Sequence, residues 1–249
     1  MSRVSRGLIF LGITFATLVA VTESAFAQSL SLDLGQGVDS TGRLIQIMLL
    51  MTVLTLAPSI LIMVTSFTRI VIVLSFVRTA LGTQQTPPNQ VLISLAMFLT
   101  FFIMMPTFEK VYDNGIQPLM EGRISEAEAF ERSAEPIRDF MMRHVREKDL
   151  LLFADLSGTS DEEIRKQMPL RILVPSFMIS ELRRAFEIGF LVFIPFLIID
   201  MVVAAVLMAM GMMMLPPIII ALPFKIVFFV LVDGWFMIVG SLVKSFGAG

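Results

Sequence analysis

A run of methionines offers the clearest chemical signal in the sequence. The stretch VLMAMGMMMLPP, residues 206–217, carries methionine at positions 208, 210, 212, 213 and 214, directly before Pro216 and Pro217. A thioether is a soft ligand that selects Cu(I), and a methionine side chain is also a flexible apolar group that fills irregular space. The cluster is therefore either a metal site or an adaptable apolar plug.

The spacing of the methionines weighs against a metal site. A helix would distribute them over several faces, so they would not converge on one ion. Gly211 and the two prolines instead predict that the run leaves the helix as a loop. A loop of long, deformable, uncharged side chains suits the closure of an opening that must later admit something large and variable.

Charged residues inside apolar stretches are the next candidates, because each costs roughly 2.5–3.5 kcal/mol to insert into a membrane. Asp200 and Lys225 lie at similar distances before and after Met214. They are expected at similar depth, either as a functional ion pair or as a pair that only sets helix register. Asp233 is too displaced from Asp200 for a carboxylate dyad, and no Ser–His, zinc-protease or phosphate-loop motif is present. We therefore expect no enzyme.

The composition places the chain in the membrane class. Of its 249 residues 56% are hydrophobic and 16% are charged, against about 25% charged in a soluble domain. The mean hydropathy is +0.84. The net charge of −2 gives no reason to expect nucleic-acid binding, and the absence of cysteine removes disulfides and thiolate metal sites. No cofactor or metal is expected outside the copper alternative.

The amino-terminal residues have the pattern of a secretory signal peptide. Arg3 and Arg6 precede an apolar run, and Ala25-Phe26-Ala27 supplies a small-x-small cleavage site. The alternative is a first permanent transmembrane helix. Cleavage before Gln28 would place the mature amino terminus outside the cytoplasm.

The remaining sequence predicts an all-α protein with about four long apolar helices in two hairpins. The apolar run over 44–81 exceeds the roughly 30 Å of the hydrocarbon layer, so either Pro58 breaks it or part of it lies beyond the membrane. A second helix, Val91–Phe108, is expected to end near Pro106, and a single helix is expected over Ile218–Val243. The predicted segments are a signal peptide (1–27), a flexible lead-in (28–43), a first helical hairpin (44–108), a charged helical extracytoplasmic domain (109–187) and a second hairpin (188–249).

The charged domain holds sixteen of the 21 acids and twelve of the 19 bases of the chain. Ser125 with Glu128 predicts a helix amino terminus, Pro136 a further helix start, and Ser157-Gly158 a turn. Cleavage of a signal peptide would place this domain on the periplasmic side. The loop over 68–90, with Arg69 and Arg78 and no acid, would then be cytoplasmic, as the positive-inside rule prefers.

Five segments resemble the FliP family of membrane proteins, which form the export gate of the flagellar type III secretion apparatus. They are MVTSFTRI (63–70), LGTQQTPPNQVLISLAMFLTFFIM (81–104), PSFMISELRRAFEIGF (175–190), IPFLIIDMVVAAVLMAMGMMMLPP (194–217) and LPFKIVFFVLVDGW (222–235). The resemblance covers most of 50–110 and 169–244 and is weak over 28–43 and much of 111–168.

The resemblance implies a subunit that assembles in several copies with FliQ-like and FliR-like membrane proteins at the channel entrance. It also implies FlhB-like and FlhA-like export components as neighbours, unfolded proteins as cargo, and a basal-body location in the bacterial inner membrane. Met212, Met213 and Met214 match the family's methionine gasket, which would seal the pore. Asp200 and Lys225 would hold hairpin or subunit geometry, and Glu181 with Arg183 would lie where subunits meet.

Two alternatives stay open at this point. One is a Cu(I)-binding membrane transporter that uses the methionine cluster. The other is the injectisome homologue of the same family, which shares the fold.

Overall fold

The computed structural model describes residues 39–83, 85–158, 168–212 and 214–247. The predicted signal peptide, most of the predicted lead-in and Met213 lie outside these ranges. The chain divides into two compact units, residues 1–53 and 54–249. The described part of the first unit, 39–53, is helical.

Every regular element in the described ranges is a helix, which confirms the predicted all-α class. The elements are α1 (Asp39–Val64), α2 (Phe67–Leu81), α3 (Asn89–Val111), a π-helical turn (Tyr112–Ile116), α4 (Gln117–Met120), α5 (Glu126–His144), α6 (Glu147–Ser157), α7 (Leu170–Ala209), α8 (Pro217–Leu231) and α9 (Gly234–Lys244). Within the described residues, two helical segments are long and apolar enough to cross a membrane, Asn89–Met120 and Leu170–Ala209. The number rises to four if each of two bent helix pairs forms one span, which agrees with the prediction.

Two predicted helix boundaries at prolines are wrong, because Pro106 and Pro136 lie inside α3 and α5. Pro58, one of the two explanations offered for the overlong 44–81 run, also lies inside a helix, α1. A proline removes one backbone hydrogen bond, but packing of the surrounding residues can outweigh that cost. The break in the 44–81 run comes at Thr65-Ser66, where the Thr68 hydroxyl donates to the Ile62 carbonyl at 3.2 Å. Side-chain hydrogen bonds of this kind compete with the helical pattern.

The predicted helix over Ile218–Val243 is also two helices, bent by 62° between α8 and α9. Asp233 adopts a left-handed backbone there, with φ 50°. A side chain at Gly234 would place its Cβ 2.2 Å from the Phe229 ring. The close approach of this ring requires glycine at 234, and the left-handed residue before it turns the chain.

Two local predictions are confirmed. The Ser125 hydroxyl accepts a hydrogen bond from the Glu128 backbone N–H at 3.3 Å and so caps α5. Gly158, with φ 60°, ends α6 in the left-handed conformation that glycine adopts without strain.

The charged segment does not form a body separate from the apolar helices. α3 runs across the predicted boundary at 108/109, and α7 runs across the one at 187/188. α5 packs on α3 and α7, while α6 packs on α7. The amphipathic insert is therefore built onto extensions of the two long helices.

α2 lies at the centre of the second unit and packs mainly against α7, with α3 on another side and a smaller contact to α8. One apolar cluster joins α2, α3, α5, α7 and the segment around α9, and a smaller one joins the end of α2 to α7 and α8. α2 approaches α7 closely at Gly189, where an added Cβ would lie 2.4 Å from the Phe76 ring.

Substitution at this crossing should destabilise the protein. Gly189→Ala would force the Phe76 ring out of its position, and overpacking of this kind typically costs about 1–3 kcal/mol. Thermal unfolding of the purified protein in detergent would measure the loss. Gly240→Ala is the matched control, because a Cβ at this position in α9 meets nothing within 4 Å. Equal unfolding temperatures for the two variants would contradict the packing account.

Candidate functional site

A buried ion pair joins α2 to α7. The Arg69 Nε atom donates to Glu181 Oε2 at 2.8 Å, and Nη2 donates to the other carboxylate oxygen. The two side chains are 3% and 0% exposed. The paired contacts match the planar guanidinium to the carboxylate, which gives geometric specificity as well as attraction.

The chain segment that follows α9 completes the surroundings of Arg69. The Nη1 atom donates to the Ser245 carbonyl at 3.3 Å and to its hydroxyl oxygen at 3.0 Å. The Phe246 ring covers the guanidinium, with its centroid 3.7 Å from the Cζ atom. A buried charge is tolerated only when its remaining donors are satisfied, and this segment satisfies them.

The prediction that Arg69 lies in the loop over 68–90 is wrong. Arg69 lies inside α2 and pairs with a residue that is 112 positions away in the sequence. The sequence does indicate that Arg69 is buried and paired, because Arg69 interrupts a long apolar run just as Asp200 and Lys225 do. Only Arg78, which bonds to Pro87 and Asn89, remains near that loop.

A second polar cluster fixes the start of α6 against α7. The Ser180 hydroxyl donates to Asp149 Oδ2 at 2.6 Å, and Arg146 donates to both carboxylate oxygens at 2.9 and 2.8 Å. Burial raises the pKa of Asp149, but the hydrogen bonds from Ser180 and Arg146, together with the arginine charges, outweigh it. The pKa of Asp149 therefore lies below its usual value of 3.8.

A third polar contact lies at the other end of α2. The Lys225 ammonium, from α8, donates to Asp200 Oδ2 on α7 at 2.6 Å and to the Ala80 carbonyl at 3.2 Å. The Ala80 carbonyl is in the last turn of α2, where backbone acceptors lack partners within the helix. Lys225 is buried and so links three helices at one point.

Glu181 and Arg183 do not act together in the structure. Glu181 points into the core toward Arg69, whereas Arg183 lies at the surface and donates to Glu187 at 2.8 Å. Within the described ranges no cluster of His, Asp or Glu is arranged to hold a metal ion.

The methionine run forms a turn, as Gly211 and the prolines predicted. The Met212 N–H donates to the Leu207 carbonyl and the Gly211 N–H to the Met208 carbonyl, a Schellman arrangement, with Gly211 at φ 73°. Pro217 begins α8. Met214 is 98% exposed and Met212 is 39% exposed, so the turn presents apolar side chains outward.

The sequence pattern of the FliP family matches residues 50–242, which include every site described above except part of the Arg69 pocket. The chain belongs to the FliP family. It is 60% identical to the flagellar biosynthetic protein FliP of Bacillus subtilis over 202 residues, covering 81% of this chain and 91% of the relative. The FliP of Caulobacter vibrioides is 58% identical over 227 residues, covering 91% of this chain and 85% of that protein.

FliP of Agrobacterium fabrum is 50% identical over 239 residues, covering 94% of this chain and 98% of the relative.

Membership of the FliP family makes the chain a membrane-embedded component of the flagellar export apparatus and not an enzyme. The names of these relatives give no support to copper transport or to an injectisome.

Removal of one member of the buried pair should strongly destabilise the protein. Glu181→Gln leaves the Arg69 charge buried without a carboxylate, and loss of one partner from such a pair costs about 3–5 kcal/mol. Glu187→Gln removes an equivalent carboxylate from an exposed pair and should leave the unfolding temperature nearly unchanged. Thermal unfolding in detergent compares the two variants. An equally small effect at Glu181 would contradict the role assigned to the pair.

The Asp149 cluster predicts a specific pH dependence. Because folding lowers the pKa of Asp149, its ionised form stabilises the folded protein above pH 3.8, and this contribution is lost as pH falls through the lowered pKa. Asp149→Asn should remove it. The difference in unfolding free energy between wild type and variant should be constant above about pH 5 and shrink in acid. Asp155→Asn, at an exposed position of α6, is the control, and a pH-independent difference for Asp149→Asn would refute the assignment.

Proposed function

We propose that this chain is a structural subunit of the flagellar type III export gate. Several copies form the channel entrance with FliQ-like and FliR-like subunits, next to FlhB-like and FlhA-like components, and unfolded proteins pass through it. The observation that carries the proposal is the exposed methionine turn between α7 and α8, in a chain of the FliP family.

The apolar surface of α7 and α8 supports assembly. Large apolar side chains are exposed along both helices, including Phe190, Leu197, Val202, Phe224 and Leu231. An apolar surface of this size is not stable in contact with water, so lipid or other subunits cover it. Association of helices within a membrane depends on close packing and polar contacts. The Arg69–Glu181 and Lys225–Asp200 ion pairs fix the arrangement of the helices that present this surface.

The methionine turn has the properties of a deformable seal. Its backbone is held by the Schellman hydrogen bonds and by Pro217, and Lys225 braces the helix that follows. Its side chains are long, uncharged and flexible. A ring of such turns, contributed by Met212, Met213 and Met214 of each copy, closes the pore to ions and small solutes and yields to a passing polypeptide.

We further propose that the protein lies in the inner membrane at the flagellar basal body, with α5 and α6 on the periplasmic side. The predicted signal peptide and the charged surface of these helices support this orientation. Arg69 does not support this orientation, because its charge is paired with Glu181 inside the core.

The seal is tested by removing the thioether side chains. The triple variant Met212→Ala, Met213→Ala, Met214→Ala should assemble but let small solutes leak through cells that express the complete export apparatus, because alanine leaves the pore open. Influx of a small fluorescent solute would measure the leak. A triple alanine variant at Met97, Met105 and Met120, exposed methionines of α3 and α4, controls for loss of methionine elsewhere. A triple variant at Met212, Met213 and Met214 that assembles but admits no fluorescent solute would refute the proposed seal.

A further inference from the structure

The methionine turn carries the most accessible methionine among the residues that the structure describes. Met214 is 98% exposed, more than any other large hydrophobic side chain in these ranges, and Met212 is partly exposed beside it. By contrast, Met104 and Met141 are fully buried in the larger apolar cluster. The protein has no cysteine, so the thioethers of its methionines are its only sulfur nucleophiles. A reagent that attacks sulfur therefore meets this turn first.

The surroundings of the turn are uncharged, and its backbone does not depend on its side chains. No charged residue lies between Asp200 and Lys225, which are paired with each other. Within the described part of the chain, neither Met212 nor Met214 belongs to an apolar cluster. Backbone hydrogen bonds at Gly211 hold the shape of the turn. A chemical change of these side chains therefore alters the surface of the turn and leaves the core in place.

We propose that the methionine turn is a site of oxidative modification, at which hydrogen peroxide converts the thioethers of Met214 and Met212 to sulfoxides. The sulfur lone pair attacks one peroxide oxygen, an S–O bond forms as the O–O bond breaks, and hydroxide leaves. The hydroxide then takes the proton of the new S–OH group and departs as water. The sulfur loses two electrons and the peroxide gains them, and methionine sulfoxide reductases can return the thioether.

The product has the opposite effect on a seal from that of the thioether. A thioether side chain is apolar, whereas a sulfoxide is polar and its oxygen accepts hydrogen bonds from water. Oxidised turns around a narrow opening hold water there, so ions and small solutes pass. This consequence rests on the proposed seal, but the oxidation itself does not.

Peptide mapping by mass spectrometry tests the modification. The full chain in detergent micelles is treated with hydrogen peroxide, and the sulfoxide fraction at each methionine is followed over time. We expect Met214 to be oxidised at least roughly tenfold faster than Met104 and Met141, because oxidation follows exposure. Equal rates at these three positions would overturn the proposal.

Solute influx tests the consequence in cells that express the complete export apparatus. Brief peroxide treatment should raise the influx of a small fluorescent solute severalfold. The triple variant Met212→Leu, Met213→Leu, Met214→Leu keeps the apolar volume but has no sulfur to oxidise. It should assemble, as shown by swimming, and stay tight before and after peroxide. Met214→Leu alone, the smallest change, should lower the induced influx.

A second leucine variant controls for methionines elsewhere in the chain. Leucine at Met97, Met105 and Met120, which are exposed on α3 and α4, should leave the peroxide-induced influx unchanged.

Influx that persists in the leucine variant of the turn would overturn the role of the oxidised side chains, and so would rapid oxidation of Met214 without influx. An error in the proposed seal gives a different pattern. The triple alanine variant would then stay tight while Met214 of the purified chain is still oxidised rapidly. An error in the modification alone leaves the alanine variant leaky and Met214 resistant to peroxide.

Discussion

The Arg69–Glu181 pair is the interaction on which the rest of the structure depends. Burial of two charges carries a desolvation cost of several kcal/mol for each ion, and only close to ideal geometry offsets it. Here the carboxylate meets the guanidinium through two hydrogen bonds, Ser245 accepts the remaining donor, and Phe246 covers the flat face. A small rotation of α2 against α7 would break all of these contacts together. The pair therefore permits a single arrangement of the two helices.

α2 is held by a polar contact at each end. Arg69 lies in its first turn and the Ala80 carbonyl, bound by Lys225, lies in its last. Both acidic partners, Glu181 and Asp200, are on α7, separated by roughly 28 Å at 1.5 Å per residue. The two contacts fix α7 and α8 relative to α2. The methionine turn lies between these two helices, so its position is fixed by them. Only its side chains are deformable.

Local chemistry in the sequence was sufficient to predict several features. The α5 cap at Ser125, the left-handed end of α6 at Gly158 and the turn at Gly211 each depend on residues within one helical turn of one another. The boundary predicted at Pro136 is wrong because long-range packing overrides a local preference: Pro136 is buried within α5. The partner of Arg69 lies 112 residues away, and no local pattern identifies it. The left-handed backbone at Asp233, beside the Phe229 ring packed on Gly234, is not indicated by a glycine at 233.

We propose that this FliP-family chain works as one of several copies in a particle with other membrane subunits. Native mass spectrometry of the detergent-extracted protein, co-expressed with its genomic neighbours, tests this claim most directly, because one spectrum reads the number of subunits and any bound metal. We expect a large particle with several copies of this chain, small membrane partners and no copper. A monomer or dimer that carries stoichiometric Cu(I) would contradict it and would make the methionines ligands.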